Sequence, residues 1–528
     1  MVEAESLVEY GPRRIIITIT AILCALLEII DTTIVNVALN DMGGNLGCTI
    51  AEISWVITAY AIGNVIVMPM TSWLSTQFGR RNYFAASIIL FTACSFFCGN
   101  ATTITELIVF RLLQGVGGGA LLVTSQTIIT ETFPAADRGM AQAIYGLGVI
   151  VGPTLGPPLG GYIVDNYSWP YIFYINIPIG IIASMLTIQF VKSPKYGEKT
   201  EAKYIDWWGI VFLAVGIGSL QYVLEKGQED DWFSSHTIVI CTISSILGFY
   251  LFAWRESVYQ NPIVSFKVLK NMNLRIGTIL SFVLGFGLYG STFVIPLYTQ
   301  SILGWTAEQA GFLMVPAALS TAFMMPIMGA LLKKGTIPPQ YLVAFGMILF
   351  FIYSFWGYSI LSPDTGGDNF FWMLIIRGVG LAFLFMPITN LSLSGLSGQE
   401  IGQGASFTGL MRQLGGSFGV AIINTFVTRR AALHRSDVVS HLSTNNEASA
   451  SRIEQIQQGF ISTGSSVDQA LAKSYKVLDV EINQQSMILS YMDAFLYLGI
   501  LFLICVPFVL ILLRKNKGNA NVDTSAAH

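Results

Sequence analysis

Glu28 and Asp31 lie three residues apart inside a long apolar run, Ile15 to Leu39, where ionisable side chains are rare and mark functional sites. Residues three apart share a helix face, so the two carboxyls meet, repel as like charges and exchange protons as a pair. Arg111 lies in a second apolar run, Ile104 to Ile129. Its guanidinium cannot give up its proton, so buried there it must find an anion or carbonyl groups. Acids that trade a proton, facing a base that does not, are parts for moving charge through a membrane.

Other chemistries find no parts. Only four His are present, with no metal spacing and no nucleophile triad, which argues against a membrane-embedded enzyme and against any bound metal. The six cysteines include no CxxC pair, and Cys94 and Cys98, one turn apart, read as small packing residues. Gly115, Gly117 and Ala120 match a dinucleotide-binding spacing, but no strand precedes them. No GxxxxGK[ST] loop occurs, so ATP is not the expected energy source and no cofactor is expected. A net charge of -3 without a basic block excludes a nucleic-acid partner.

The elements that hold these residues follow from composition. Of 528 residues, 53% are apolar and 11% charged, far from a soluble domain and suited to contact with lipid. Only a helix of about 20 residues satisfies its own backbone across a hydrocarbon core of roughly 30 Å. Fourteen such runs occur: Ile15 to Leu39, Ile53 to Leu74, Tyr83 to Ala101, Ile104 to Ile129, Met140 to Tyr162, Tyr171 to Val191, Trp207 to Leu224, Thr237 to Trp254, Leu274 to Leu297, Ala310 to Leu332, Tyr341 to Leu361, Phe370 to Leu391, Phe407 to Val427 and Met487 to Leu513. The first run follows Arg13 and Arg14 but is too long, and too acidic, for a signal peptide.

Alternating the fourteen spans from a cytoplasmic start places eighteen Lys or Arg on the cytoplasmic side, Lys195, Lys199, Lys203, Lys515 and Lys517 among them, against Lys226 alone in the short outer loops. Both termini are then cytoplasmic. The polar stretch at 428–486 faces outward, with helical spacing over Ala448 to Phe460 and Val467 to Ile482. Internal echoes accompany the count: Arg111 precedes Gly115, Val116 and Gly117 in the fourth span, and Arg377 precedes Gly378, Val379 and Gly380 in the twelfth. The expected organisation is a six-helix bundle at 1–191, two inserted helices with linkers at 192–273, and a second six-helix bundle at 274–528.

Four motifs in order carry a resemblance. Asp31-Thr-Thr-Ile-Val-Asn-Val-Ala-Leu39 lies in the first span, and Arg111-Leu-Leu-Gln-Gly-Val-Gly117 in the fourth. Gly152-Pro-Thr-Leu-Gly-Pro-Pro-Leu-Gly-Gly161 lies in the fifth. The loop after the second span contains Gly79, Arg80 and Arg81, without a glycine at Ser72 or an acid at Thr76. Together they resemble the major facilitator superfamily, specifically its fourteen-span drug:proton antiporters of the EmrB type. The missing acid puts the charge latch of that loop in doubt.

The resemblance implies an all-α major facilitator fold of two six-helix bundles plus two inserted helices, and a proton-coupled antiporter that exports hydrophobic drugs or toxic small molecules by alternating access. It implies proton coupling through Asp31, Glu28 and Arg111, with Asp31 the natural carrier. Gly152, Gly156, Pro157, Gly160 and Gly161 form the antiporter motif, Gly79, Arg80 and Arg81 the loop motif, and Trp55, Tyr60, Tyr289, Phe293, Phe385, Asn390 and Arg412 candidate walls of a substrate cavity. It also implies the cell inner membrane, membrane lipids as surroundings, and a periplasmic adaptor with an outer-membrane channel as partners. An importer or symporter of a nutrient or siderophore is the nearest alternative. A non-transporting scaffold or sensor is the alternative of another class, with little need for buried carboxylates and arginines.

Overall fold

A computed structural model describes residues 7–134, 137–194, 205–259, 261–335, 337–442 and 447–514. Lys195, Lys199, Lys203, Lys515 and Lys517, and both chain ends, lie outside the described residues. Fifteen helices carry the fold: α1 Gly11–Leu46, α2 Ala51–Phe78, α3 Arg80–Gly99, α4 Ile104–Thr132, α5 Arg138–Asn166, α6 Tyr171–Phe190, α7 Trp207–Lys226, α8 His236–Val258, α9 Met272–Ser301, α10 Glu308–Lys334, α11 Pro339–Ile360, α12 Gly367–Leu393, α13 Gln399–His441, α14 Glu447–Ser462 and α15 Val467–Arg514.

Twelve of these are long and apolar enough to cross a membrane, and α5, bent by 41° beside Pro153, makes a thirteenth. The fourteenth expected span is the middle of α13. It is less apolar than the others, carrying Arg412, Gln413, Ser417 and Asn424 among its apolar residues. Those polar groups are sheltered by protein: α13 is enclosed by α9, α15, α4, α2, α7 and α12, and Ile401, Ala405, Arg412, Gly416 and Ile423 are buried. A helix screened from lipid on most sides can hold polar residues that a lipid-facing helix cannot.

α1 packs on α4, α5 and α6, while α9 packs on α12, α13 and α15; α5 meets α10 and α12, and α2 meets α13. α7 pairs with α8 and lies over both α2 and α13, where Val65, Leu213, Ile217, Leu410 and Leu414 share one apolar cluster.

At 43 and 48 residues, α13 and α15 run about 65 and 70 Å, twice a hydrocarbon core. Their far ends project together with α14 and are zipped by charge. Arg430 and His434 reach Asp493 at 2.6 and 2.7 Å, Arg435 reaches Asp479 at 2.7 Å and Arg452 reaches Glu481 at 2.6 Å. Arg435 and Arg452 are thus paired within the 428–486 stretch, while Arg430 and His434 tie it to Asp493 in the last span. The two expected helices are present as Glu447–Ser462 and the start of α15, which continues unbroken into the last span.

Candidate functional site

Asp31 and Arg111 form a direct ion pair in the middle of the first bundle, with Arg111 Nη1 donating to Asp31 Oδ2 at 2.6 Å and both side chains 1% exposed or less. Every remaining acceptor is filled. Gln114 Nε2 donates to Asp31 Oδ1 at 3.0 Å and Asn176 Nδ2 to the same oxygen at 2.7 Å, and Ser95 Oγ accepts from both amides at 2.9 Å. Arg111 gives its Nε to the Val56 carbonyl at 3.2 Å and lies 4.2 Å over the Tyr60 ring. Five helices, α1, α2, α3, α4 and α6, therefore supply one network. Such a buried pair holds a charge in place, since removing either partner strands the other.

Glu28 is built differently. One turn nearer the N-terminus of α1, it is 3% exposed and accepts one hydrogen bond, from Asn64 Nδ2 to Oε1 at 2.7 Å. Its Oε2 is buried with no hydrogen-bond partner among the described residues. A buried carboxyl with one unbonded oxygen has room for a proton there, whereas Asp31 has both oxygens engaged.

Beside Glu28 the two bundles meet. Arg412 of α13, 4% exposed, stands 5.2 Å over the ring of Phe385 from α12, and that ring lies 6.4 Å from Tyr145 of α5. Tyr289 of α9 packs on Gly416, one turn beyond Arg412. Of the seven expected cavity residues, Tyr60, Tyr289, Phe385 and Arg412 gather here. The other three do not. Trp55 sits at the far end of α2 against Tyr222, 5.4 Å between ring centroids, with Lys226 over its ring. Phe293 packs on the main apolar core, and Asn390 is half-buried in the last turns of α12. A cavity of about 310 Å³ opens nearer the basic end, between α2, α4 and the start of α13, lined by Ser72, Thr76, Arg80, Thr124, Thr127 and Gln399. None of the seven lines it.

The glycine stripe of α5 seats the helix that bears both acids. A Cβ at Gly152 would fall 2.6 Å from Ile29, one at Gly156 2.0 Å from Thr33 Oγ1, and one at Gly160 2.9 Å from Ile34. No larger residue permits that approach. Beyond the bend, Pro158 and Gly161 lie instead against Gly311 and Glu308 of α10, so the Pro157-containing stretch contacts both bundles.

The basic end carries the loop motif. Gly79 takes φ +81° between α2 and α3, a conformation that favours glycine. The doubt about the charge latch resolves in a different pairing: Arg80 is buried against Glu131 at the end of α4. Thr76, where an acid was missing, accepts a hydrogen bond from Gln399 Nε2 of α13 at 3.4 Å. Arg81 is exposed and its backbone N–H donates to Ser193 Oγ at 3.1 Å. Lys333 pairs with Asp137 across α10 and α5 at 2.7 Å, and its ammonium holds the Asp137 carboxyl below the usual range.

Sequence reasoning missed Asn64, Ser95, Asn176 and Glu131 as members of these networks. Asn64, Ser95 and Asn176 each break an apolar run, which is the available signal; Glu131 sits at a span end, where an acid draws no notice.

The sequence model described as Major Facilitator Superfamily matches residues 21–420. The multidrug export protein EmrB of Escherichia coli (strain K12) is 33% identical over 501 residues, covering 94% of this chain and 95% of that one. The fatty acid resistance protein FarB of Neisseria gonorrhoeae is 33% identical over 494 residues, covering 93% and 95%. Among solved structures, the proton:xylose symporter XylE bound to 6-bromo-6-deoxy-D-glucose superposes with a TM-score of 0.56 at 15% identity, over 94% of this chain and 96% of that one, a likeness of fold alone.

Proposed function

Because the chain belongs to the major facilitator superfamily as a multi-pass membrane protein of the EmrB type, we propose that it exports hydrophobic small molecules in exchange for protons by alternating access. The reading rests on Glu28: a carboxyl deep between the bundles with one oxygen free to take a proton, beside an ion pair that stays charged. Asp31 then anchors Arg111 and orients α1, and Glu28 carries the proton. In the cycle, outward opening admits a proton to Glu28 Oε2, and inward opening releases it to the cytoplasm as substrate loads at Tyr60, Tyr289 and Phe385. The kinship to an export protein and to a fatty acid resistance protein favours efflux of amphiphilic compounds.

The proposed setting is the cell inner membrane with both termini cytoplasmic, so that the α13–α15 projection points outward. There it meets a periplasmic adaptor leading to an outer-membrane channel; deleting residues 447–479 is expected to abolish adaptor co-purification, and unchanged co-purification contradicts that docking site.

Adding ethidium to the purified protein in weak buffer tests the direction of coupling. Antiport predicts proton release on binding, while proton uptake would establish symport.

A further inference from the structure

An acid and a base without an ion-pair partner lie on either side of the bundle seam. Glu28, on α1, has a buried carboxyl oxygen with no hydrogen-bond partner among the described residues. Arg412, on α13, is a buried cation with no carboxylate at ion-pair distance among the described residues. They stand at one level: Asn64, which donates to Glu28, adjoins Val65, and Val65 packs in one cluster with Leu410 and Leu414, the residues flanking Arg412. Arg412 stands over the ring of Phe385, that ring lies against Gly146 of α5, and, two residues on, Gly148 faces Ile22 and Leu26, in the turns of α1 just before Glu28.

We propose that Arg412 is the counter-charge Glu28 takes up when it gives away its proton. The O–H bond at Oε2 breaks, the proton passes to water, and the carboxylate left behind accepts from the guanidinium of the opposite bundle. Deprotonation thereby ties α1 to α13 across the seam, and reprotonation frees them. The inference rests on Glu28 being the proton site.

Arg412 is on this account a positioning residue, acting through Glu28. The other titratable or charged groups near Glu28 are Cys24 and Asp31 on its own helix, Tyr60 on α2, Tyr145 on α5 and Tyr289 on α9, with Arg111 on α4 held by Asp31. None of these supplies a free cation.

Infrared difference titration of the full-length protein in lipid reads the protonated carboxyl band directly and needs no substrate. Glu28→Gln is expected to remove the component of the band that Glu28 contributes. In Arg412→Gln the band persists to a pH about one unit higher than in wild type, and in Arg412→Lys it titrates as in wild type. Arg412→Met, which leaves no polar remnant, is the second neutral variant should Arg412→Gln fail to insert. An unshifted band in a neutral Arg412 variant overturns the proposal. A band left unchanged by Glu28→Gln instead overturns the proton-site reading beneath it, so the two failures are distinguishable.

Discussion

Asp31 and Glu28 look alike in the sequence and differ in the structure by their hydrogen bonds. Asp31→Asn leaves Arg111 buried without an anion, which costs about 3–5 kcal/mol and is expected to appear as a clear drop in thermal unfolding temperature. Glu28→Gln keeps an acceptor for Asn64 and changes no ion pair, so its unfolding temperature is expected to stay near wild type while proton-driven export is lost. Equal destabilisation of the two variants would contradict the division of labour. That both acids are buried was legible from their depth in an apolar run. Which one is free was not, because the partners Gln114, Asn176 and Ser95 come from α4, α6 and α3, and nothing in one run names its neighbours.

At the scale of elements, the α1–α5 contact sets where the acids stand. Gly156→Ala places a methyl 2.0 Å from Thr33 Oγ1, and an overpacked seam of this kind costs about 1–3 kcal/mol. Export by Gly156→Ala is expected to fall sharply, and Thr33→Ala in the same chain to restore part of it; no restoration would place the effect elsewhere. The spacing of those glycines was readable, whereas their partner helix became visible only in three dimensions.

The Asp137–Lys333 pair behaves differently with pH. Lys333 holds Asp137 below the ordinary aspartate value, so the pair is intact at neutral pH and is lost only as pH falls through that lowered value. Asp137→Asn is therefore expected to leave the midpoint of the pH–export profile near neutrality unmoved. A shifted midpoint would make this surface pair part of the proton switch.

For the whole molecule, two seams, α2–α13 and α5–α10, close the bundles on each other, and α7 lies over the first. Alternating access requires the basic end to open. A disulfide joining Thr76→Cys and Gln399→Cys is expected to arrest export until reduced, and export at the wild-type rate while cross-linked would exclude that motion. Twelve of the fourteen expected spans, and the bent α5 as a thirteenth, were readable from hydropathy, because each is long and apolar enough to cross a membrane. The reach of α13, about 65 Å, was not, because its continuation past Val427 to His441 is polar and carries no apolar run to mark it as helix.

Proteoliposomes carrying the full chain and an imposed proton gradient test the central claim most directly, with ethidium accumulation measured for wild type and Glu28→Gln side by side. The account predicts gradient-driven accumulation in wild type and, in Glu28→Gln, only equilibration down the ethidium gradient. Undiminished gradient-driven accumulation by Glu28→Gln would contradict it.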